Sequence, residues 1–348
     1  MISNSPSPSP IVTKKSPMRR VGRFSVTDKL GKGSNGTVFL GHDPVIDRPV
    51  AIKILGAAIG VADKKQQEQH FINEARAAGR LSHPNIVTIY DASSEGGTTF
   101  IAMEFLQGQD LRELMAGGKR FDIIEISNII SKVAEALAYA HENGVIHRDI
   151  KPANIFILPN NQPKVVDFGI ARAPNRVLEG SDNSAHTLFN NNIMGTPNYM
   201  SPEQAMGKPV NALTDVYSLG AVMYEMLTLQ KPFQSNDIDK LLQQISNKIP
   251  KSPSEVNAKI PEKLSFIVMK AMQKDSVSRY SSAAEMALAL NKFLARDKRL
   301  KRKRLQNSQE SSKQFSQTPG KSPLFWLSVF LLFVAVGAVL ATLRRSLG

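Results

Sequence analysis

A chain of 348 residues that sets 44 Lys and Arg against 30 Asp and Glu carries a net charge of +14 and contains no cysteine. The length suffices for a two-lobed domain of ordinary size with extensions, and the missing cysteines exclude disulfides and thiolate metal sites. The positive balance raises nucleic acid and anionic membranes as partners, so the distribution of charge along the chain has to decide between them.

Residues 1–22 contain Ser5-Pro-Ser-Pro-Ser-Pro10, followed by Lys14, Lys15, Arg19 and Arg20. Such a composition cannot bury a core and predicts a disordered Ser/Pro-rich tail. No apolar stretch follows the basic residues, so the tail does not read as a secretory signal. Next, Leu30-Gly-Lys-Gly-Ser-Asn-Gly-Thr-Val38 carries the pattern G-x-G-x-x-G-x-V between two apolar segments. Glycines at 31, 33 and 36 let the backbone approach phosphate oxygens without side-chain obstruction. The pattern also occurs in dinucleotide-binding folds, but there it opens a helix. Here Val38-Phe-Leu40 continues as a strand.

Val50-Ala-Ile-Lys53 is a further strand, ending in a lysine at a suitable distance from the glycines to reach nucleotide phosphates. Its acidic partner is sought on a helix predicted over 66–81, where Phe71, Ala75 and Ala78 form one stripe. Glu74 shares the inward side with Phe71 and is preferred to Glu68. Further along come Val145-Ile-His-Arg-Asp-Ile-Lys-Pro-Ala-Asn154 and Asp167-Phe-Gly169, flanked by short apolar runs that place both on loops between strands. An Asp, a Lys, an Asn and a second Asp at these spacings are what phosphoryl transfer from ATP requires. Asp149 can orient a hydroxyl nucleophile, Lys151 can stabilise charge near the transferring group, and Asn154 and Asp167 can hold Mg2+ (or Mn2+). Either tripeptide alone is a weak signal; the ordered set leaves little room for chance.

With Gly195-Thr-Pro-Asn-Tyr-Met-Ser-Pro-Glu203 and Asp215-Val-Tyr-Ser-Leu-Gly220, these motifs make the region from about Phe24 to Leu294 resemble the eukaryotic-like serine/threonine protein kinases of bacteria. The resemblance implies an α+β bilobal protein-kinase fold over 23–294, with a β-rich N-lobe over 23–106 and an α-helical C-lobe over 107–294. ATP would bind between the lobes against Leu30, Gly31, Lys32, Gly33, Ser34, Asn35, Gly36, Thr37, Val38, Ala51 and Lys53. Behind Met103, the hinge from Glu104 to Leu106 would bond adenine through its backbone, with Leu30, Val38, Ala51 and Phe156 sandwiching the ring. Glu203 and Arg279 would form a buried ion pair, and Asp215 would brace the catalytic loop. Lys151 two residues after Asp149, and Thr196 before Pro197, imply Ser or Thr hydroxyls of proteins as substrates rather than tyrosines or small molecules. The rival reading, a pseudokinase scaffold without catalysis, usually shows loss of Lys53, Asp149 or Asp167; all three are present.

Arg148 precedes Asp149, a cation that a phosphorylated activation loop can neutralise. The loop over 170–200 offers Ser181, Ser184, Thr187 and Thr196, and Thr187, then Ser184, are the expected autophosphorylation sites. The chain departs from its relatives at Leu188-Phe-Asn-Asn-Asn-Ile-Met194, which has no hydroxyl where they often carry a phosphothreonine.

The end of the chain has a different character. Residues 324–343 are uncharged and mostly apolar, and at helical rise such a stretch covers about 30 Å, the thickness of a bilayer's hydrocarbon core. A single transmembrane helix is expected there. Arg296, Lys298, Arg299, Lys301, Arg302, Lys303 and Arg304 crowd the linker over 295–323, and Arg344 and Arg345 begin a short tail over 344–348. Positive-inside bias, and a need for ATP, put the kinase domain on the cytoplasmic side of a single-pass cell-membrane protein. The same cations suit anionic lipid headgroups, and Gly337 and Ala341 form a small-xxx-small pair suited to a dimer. With much of the charge in the tails, no nucleic-acid partner is invoked.

Overall fold

The computed structural model describes residues 19–33, 36–56, 61–168, 197–316, 327 and 331. Expectations for Ser34, Asn35, Ser184, Thr187, Thr196, the tail before residue 19 and nearly all of 324–343 lie outside the described residues, as does the side chain of Glu74. The chain divides into two units, 1–294 and 295–348.

In the first unit, β1 (Arg19–Val21), β2 (Phe24–Gly33), β3 (Gly36–Asp43), β4 (Arg48–Leu55), β5 (Ile89–Glu95) and β6 (Thr98–Glu104) form an antiparallel sheet in the order β1-β2-β3-β4-β6-β5. Helix α1 (Val61–Ala78) interrupts the strands between β4 and β5. Successive side chains of a strand face opposite ways, and β4 uses both sides. Val50 and Ile52 pack with Phe24, Phe100 and Ala102 on one face, where Phe24 meets Phe100 edge to face at 5.9 Å. Ala51 packs on the other with Val87 and Met103, and Lys53, two residues on, shares that face.

Helix α1 begins before the predicted position 66 and ends before 81. Its first turns, Val61-Ala-Asp-Lys-Lys-Gln-Gln, carry no apolar stripe from which to read a period. At the other end the amide of Gly79 donates to Ala75 O at 2.8 Å and that of Leu81 to Ala78 O at 3.0 Å, closing the helix before Pro84. Leu81 is still buried, which is why its apolar character extended the pattern.

The remainder of this unit is helical around a small sheet of β7 (Gln109–Asp110), β8 (Ile155–Ile157) and β9 (Pro163–Val165). Its described helices are α2 (Leu111–Ala116), α3 (Ile123–Glu142), α4 (Pro202–Ala205), α5 (Leu213–Thr228), α6 (Ile238–Asn247), α7 (Pro253–Val256), α8 (Glu262–Ala271) and the first turns of α9 (Ala283–Ser316), whose residues from 295 on belong to the second unit. Asp122 caps α3 reciprocally with Glu125, satisfying amides that the first turn leaves without partners. Ile126, Ile130, Val133 and Leu137 then recur along its buried face. Helix α5 is buried almost all round, the mark of a central core helix. Gly220 lets it lie tight against the end of α8: a Cβ there would stand 2.8 Å from Ala271 Cβ. Among the described residues no helix is long and apolar enough to cross a membrane.

One polar cluster locks the helices together. Arg279, wholly buried, makes two parallel bonds to Glu203, Nη1 to Oε1 at 2.8 Å and Nη2 to Oε2 at 2.7 Å. Its other donors reach Gln273 O, Leu213 O and Lys274 O, and Thr214 Oγ1 donates to Glu203 Oε1 at 2.7 Å. Burial by itself pushes the Glu203 carboxyl up, but the bonds and charge of Arg279 outweigh it and hold the group below its ordinary value. A depressed carboxylate contributes stability above its unfolded pKa of about 4.3 and loses it as pH falls through the lower folded value. Arg279→Ala should therefore cost about 3–5 kcal/mol at neutral pH in urea unfolding, because it strands a buried carboxylate. Protonation in acid relieves the stranded Glu203, so the gap to the parent should narrow there. A gap independent of pH would contradict this account.

Candidate active site

Residues 147–154 form a loop held from below by Asp215, in the first turn of α5 and wholly buried. The carboxylate accepts the amides of His147 (Oδ2) and Arg148 (Oδ1), each at 2.8 Å, and His141 Nε2 lies 2.8 Å from Oδ2. Arg148 has φ of 65°, a left-handed conformation that costs a residue with a Cβ on the order of 1–3 kcal/mol and persists only where its surroundings over-determine it. Asp215 on its amide and Gln204 Nε2 on its carbonyl, at 2.8 Å, do so.

His147 carries the order onward. Its Nδ1 accepts the amide of Asp149 at 3.2 Å, so the ring proton sits on Nε2, which donates to Val166 O at 2.9 Å. The ring also packs on Phe168 at 4.7 Å between centroids. The histidine thus ties the loop holding Asp149 to the segment holding Asp167. Asn154 closes the circuit: its Nδ2 donates to Asp149 O at 2.8 Å and Oδ2 at 3.2 Å, and its backbone O accepts from Val166 N at 3.0 Å. Lys151 Nζ lies 2.7 Å from Asp149 Oδ2.

Across the cleft, Lys53 Nζ stands 2.8 Å from Asp167 Oδ1, with the lysine side chain only 4% exposed. Burial opposes ionisation of Asp167, but the charge and hydrogen bond of Lys53 outweigh it, with Lys151 adding, and the carboxyl is held below its usual range. Lys53, Asp167, Asn154, Asp149 and Lys151 are therefore linked through direct contacts and adjacent backbone. Glu74, the partner expected for Lys53, has its side chain outside the described set.

The described glycines lie where β2 and β3 meet, with Gly33 opposite Gly36. Gly36 has φ of 149°, and a Cβ there would fall 1.9 Å from Ile54 O, so this position admits only glycine. A Cβ on Gly31 would meet nothing within 4 Å, leaving open space along the hairpin for phosphates. Val38, Ala51 and Leu106 join one apolar cluster with Val87, Met103, Phe105 and Val166. Leu30 is 47% exposed and Phe156 half-buried, and neither belongs to this cluster. The amide of Glu104 is occupied by Thr88 O at 2.8 Å, leaving the following carbonyl and Leu106 as the hinge groups for a base.

The donor set fits Mg2+. Asn154 commits its NH2 to Asp149 and keeps Oδ1 as an acceptor, while Asp167 is ionised; one amide oxygen and one carboxylate suit an ion that keeps its waters and shares substrate phosphates. Among the described residues no group of three His, Cys, Asp or Glu could hold a metal alone. His141 and Gln204, which hold the loop, and Lys164, whose Nζ lies 2.7 Å from Glu104 Oε2, contact the site and were not singled out by the motifs. Lys164 stood in an apolar run, and a lysine inside a buried strand was the available signal.

The protein kinase domain family model matches residues 24–292, and the chain belongs to that family. The serine/threonine-protein kinase PknB of Mycobacterium leprae is 38% identical over 268 residues, covering 76% of this chain and 42% of that protein. PrkC of Bacillus subtilis, also a serine/threonine-protein kinase, is 36% identical over 295 residues, 84% of this chain and 44% of its own. The chain thus spans about two fifths of the length of these relatives. The kinase domain of Mycobacterium tuberculosis PknI, solved by crystallography, superposes with a TM-score of 0.62 at 25% identity, over 80% of this chain and 98% of that one. It shares the bilobal fold, strand-rich in one lobe and helical in the other.

Proposed function

We propose that this chain is a serine/threonine protein kinase that transfers the γ-phosphoryl group of ATP to Ser or Thr hydroxyls of proteins, its own activation loop included, at a membrane. The observation that carries the reading is the convergence of Lys53, Asp149, Lys151, Asn154 and Asp167 on one cleft. Each has work in phosphoryl transfer. Asp149 orients the attacking hydroxyl and takes its proton as the new oxygen–phosphorus bond forms and the bond to the β-phosphate oxygen breaks. Lys151, already beside Asp149, offsets charge on the transferring group. Lys53, on β4, would hold the α- and β-phosphates, with the glycine hairpin over them. Magnesium held by Asn154 and Asp167 would neutralise phosphate charge. The depressed pKa of Asp167 keeps that ligand ionised at neutral pH. Relatives named serine/threonine-protein kinases support the acceptor class.

Thr187, then Ser184, are proposed as autophosphorylation sites that pair with Arg148. The organisation proposed is a tail over 1–22 whose last residues do not stay free but pair with β2 as β1 (Arg19–Val21), a kinase domain over 23–294, a basic linker over 295–323, a span over 324–343 and a short tail over 344–348. The kinase domain faces the cytoplasm, and the linker, whose Arg296, Lys298, Arg299, Lys301, Arg302 and Lys303 are exposed, lies near anionic lipid. The span can also pair two copies through Gly337 and Ala341.

With ATP and magnesium, the parent should label a protein acceptor on Ser or Thr and itself at Thr187 or Ser184, while Asp149→Ala does neither. A folded parent that binds nucleotide but transfers nothing would favour the scaffold reading. Separately, the full chain should stay with membranes through alkaline carbonate and leave only with detergent, and deletion of 324–343 should release it. Release by carbonate alone would rule out the span.

A further inference from the structure

Lys164 lies in the middle of β9, opposite Phe156 of β8, with its side chain 11% exposed. Its Nζ is 2.7 Å from Oε2 of Glu104 and 3.4 Å from Ile86 O. The same Glu104 oxygen accepts the amide of Thr88 at 3.2 Å, and Thr88 O accepts the amide of Glu104 at 2.8 Å. Asn85 Nδ2 binds Pro163 O at 2.7 Å, and Val87 N binds Val165 O at 3.0 Å. Three segments therefore meet at one ion pair: β9, residues 85–88, and the end of β6 where the hinge begins.

An ion pair whose lysine is buried and whose carboxylate is 26% exposed contributes little net stability, because desolvation of the lysine offsets much of the attraction and water screens the rest. What it does supply is orientation. Glu104 is held at its amide by Thr88 and at its carboxylate by both Thr88 and Lys164. With both ends tied, the N–Cα and Cα–Cβ bonds of Glu104 are fixed, and with them the point from which its carbonyl projects. In the proposed ATP site that carbonyl faces the edge of the base, where adenine presents an amino donor and guanine an oxygen. A fixed acceptor there binds the first and repels the second.

We propose that Lys164 is a positioning residue for the base: acting through Glu104, it fixes the hinge acceptor that makes the site prefer adenine to guanine nucleotides. The proposal rests on the ATP-dependent reading above and deepens it.

The test uses the full chain in detergent, with casein as acceptor, and compares kcat and KM for ATP and for GTP in the parent, Lys164→Met and Lys164→Arg. Lys164→Met should raise KM for ATP about tenfold with kcat within about twofold, and shrink the preference for ATP over GTP by a similar factor. Lys164→Arg should restore both. General loosening of the fold would raise both KM values together and leave their ratio intact, and that result would overturn the proposal, as would an unchanged KM for ATP. If Lys164→Met fails to fold, Glu104→Gln, which keeps the size but weakens the pair, should compress the same ratio. If the parent binds nucleotide but transfers nothing, the kinase reading fails separately, and the dissociation constants of ADP and GDP then report the ratio. A parent without adenine preference would overturn the inference by itself.

Discussion

The site depends on one buried carboxylate. Asp215 is out of water at the start of α5, and a charge there persists only if hydrogen bonds replace its hydration. The amides of His147 and Arg148 and the ring of His141 supply them, and the helix N-terminus, with its partial positive charge, adds to them. Because α5 is packed on nearly every side, the carboxylate is a fixed point. The loop is thus held to a helix buried on nearly every side, and the left-handed turn at Arg148 can be sustained. From there the order passes through His147 to Val166 and through Asn154 to Asp149, so the carboxylates of Asp149 and Asp167 are placed by a chain of short contacts rather than by their own loops.

Two lysines then join the N-terminal sheet to the helical part. Lys53 reaches Asp167 from β4, and Lys164 reaches Glu104 from β9. Between them run the apolar residues Ala51, Val87, Met103 and Val166, with no need for polar partners. A cleft built this way has an electrostatic link at each side and a greasy floor, which suits a flat base attached to a charged phosphate chain. The segment from β9 to Asp167 touches both lobes, so a shift of one is felt at the Asp167 carboxylate.

Much of the site was legible because its chemistry dictates residue type at short spacing. Asp149, Lys151 and Asn154 lie within six residues of one another, and Gly36 is required where any side chain would strike Ile54 O. The strands carrying Lys53 and Val38 were equally plain, since alternation and glycine punctuation are local signals, although β4 runs two residues past Lys53 to Leu55. Contacts across long separations were not. Asp215 lies 68 residues from His147 and Glu203 lies 76 from Arg279, distances over which no periodicity speaks. Those two were anticipated only through resemblance. Lys164 was passed over because its neighbours are apolar, and the start of α1 because its first turns have no apolar stripe. The apolar walls were read in part: Val38 and Ala51 meet at the cleft, whereas Leu30 is largely open to solvent.

The most direct test of this dependence is the phosphotransfer rate of Asp215→Asn, in a sample whose melting temperature and nucleotide affinity match the parent's. Asparagine keeps the size of the side chain but replaces one carboxylate oxygen with a donor, and because the His147 and Arg148 amides use different oxygens, one of them would face an NH2 group in place of its acceptor. In the proposed site nucleotide is held by Lys53, the glycine hairpin and the hinge, whereas Asp215 bonds the amides of His147 and Arg148 and the ring of His141. The account predicts transfer slowed by about a hundredfold or more with binding intact. Transfer at the parental rate would mean that the loop holds its geometry without the buried carboxylate, and the central claim would be wrong.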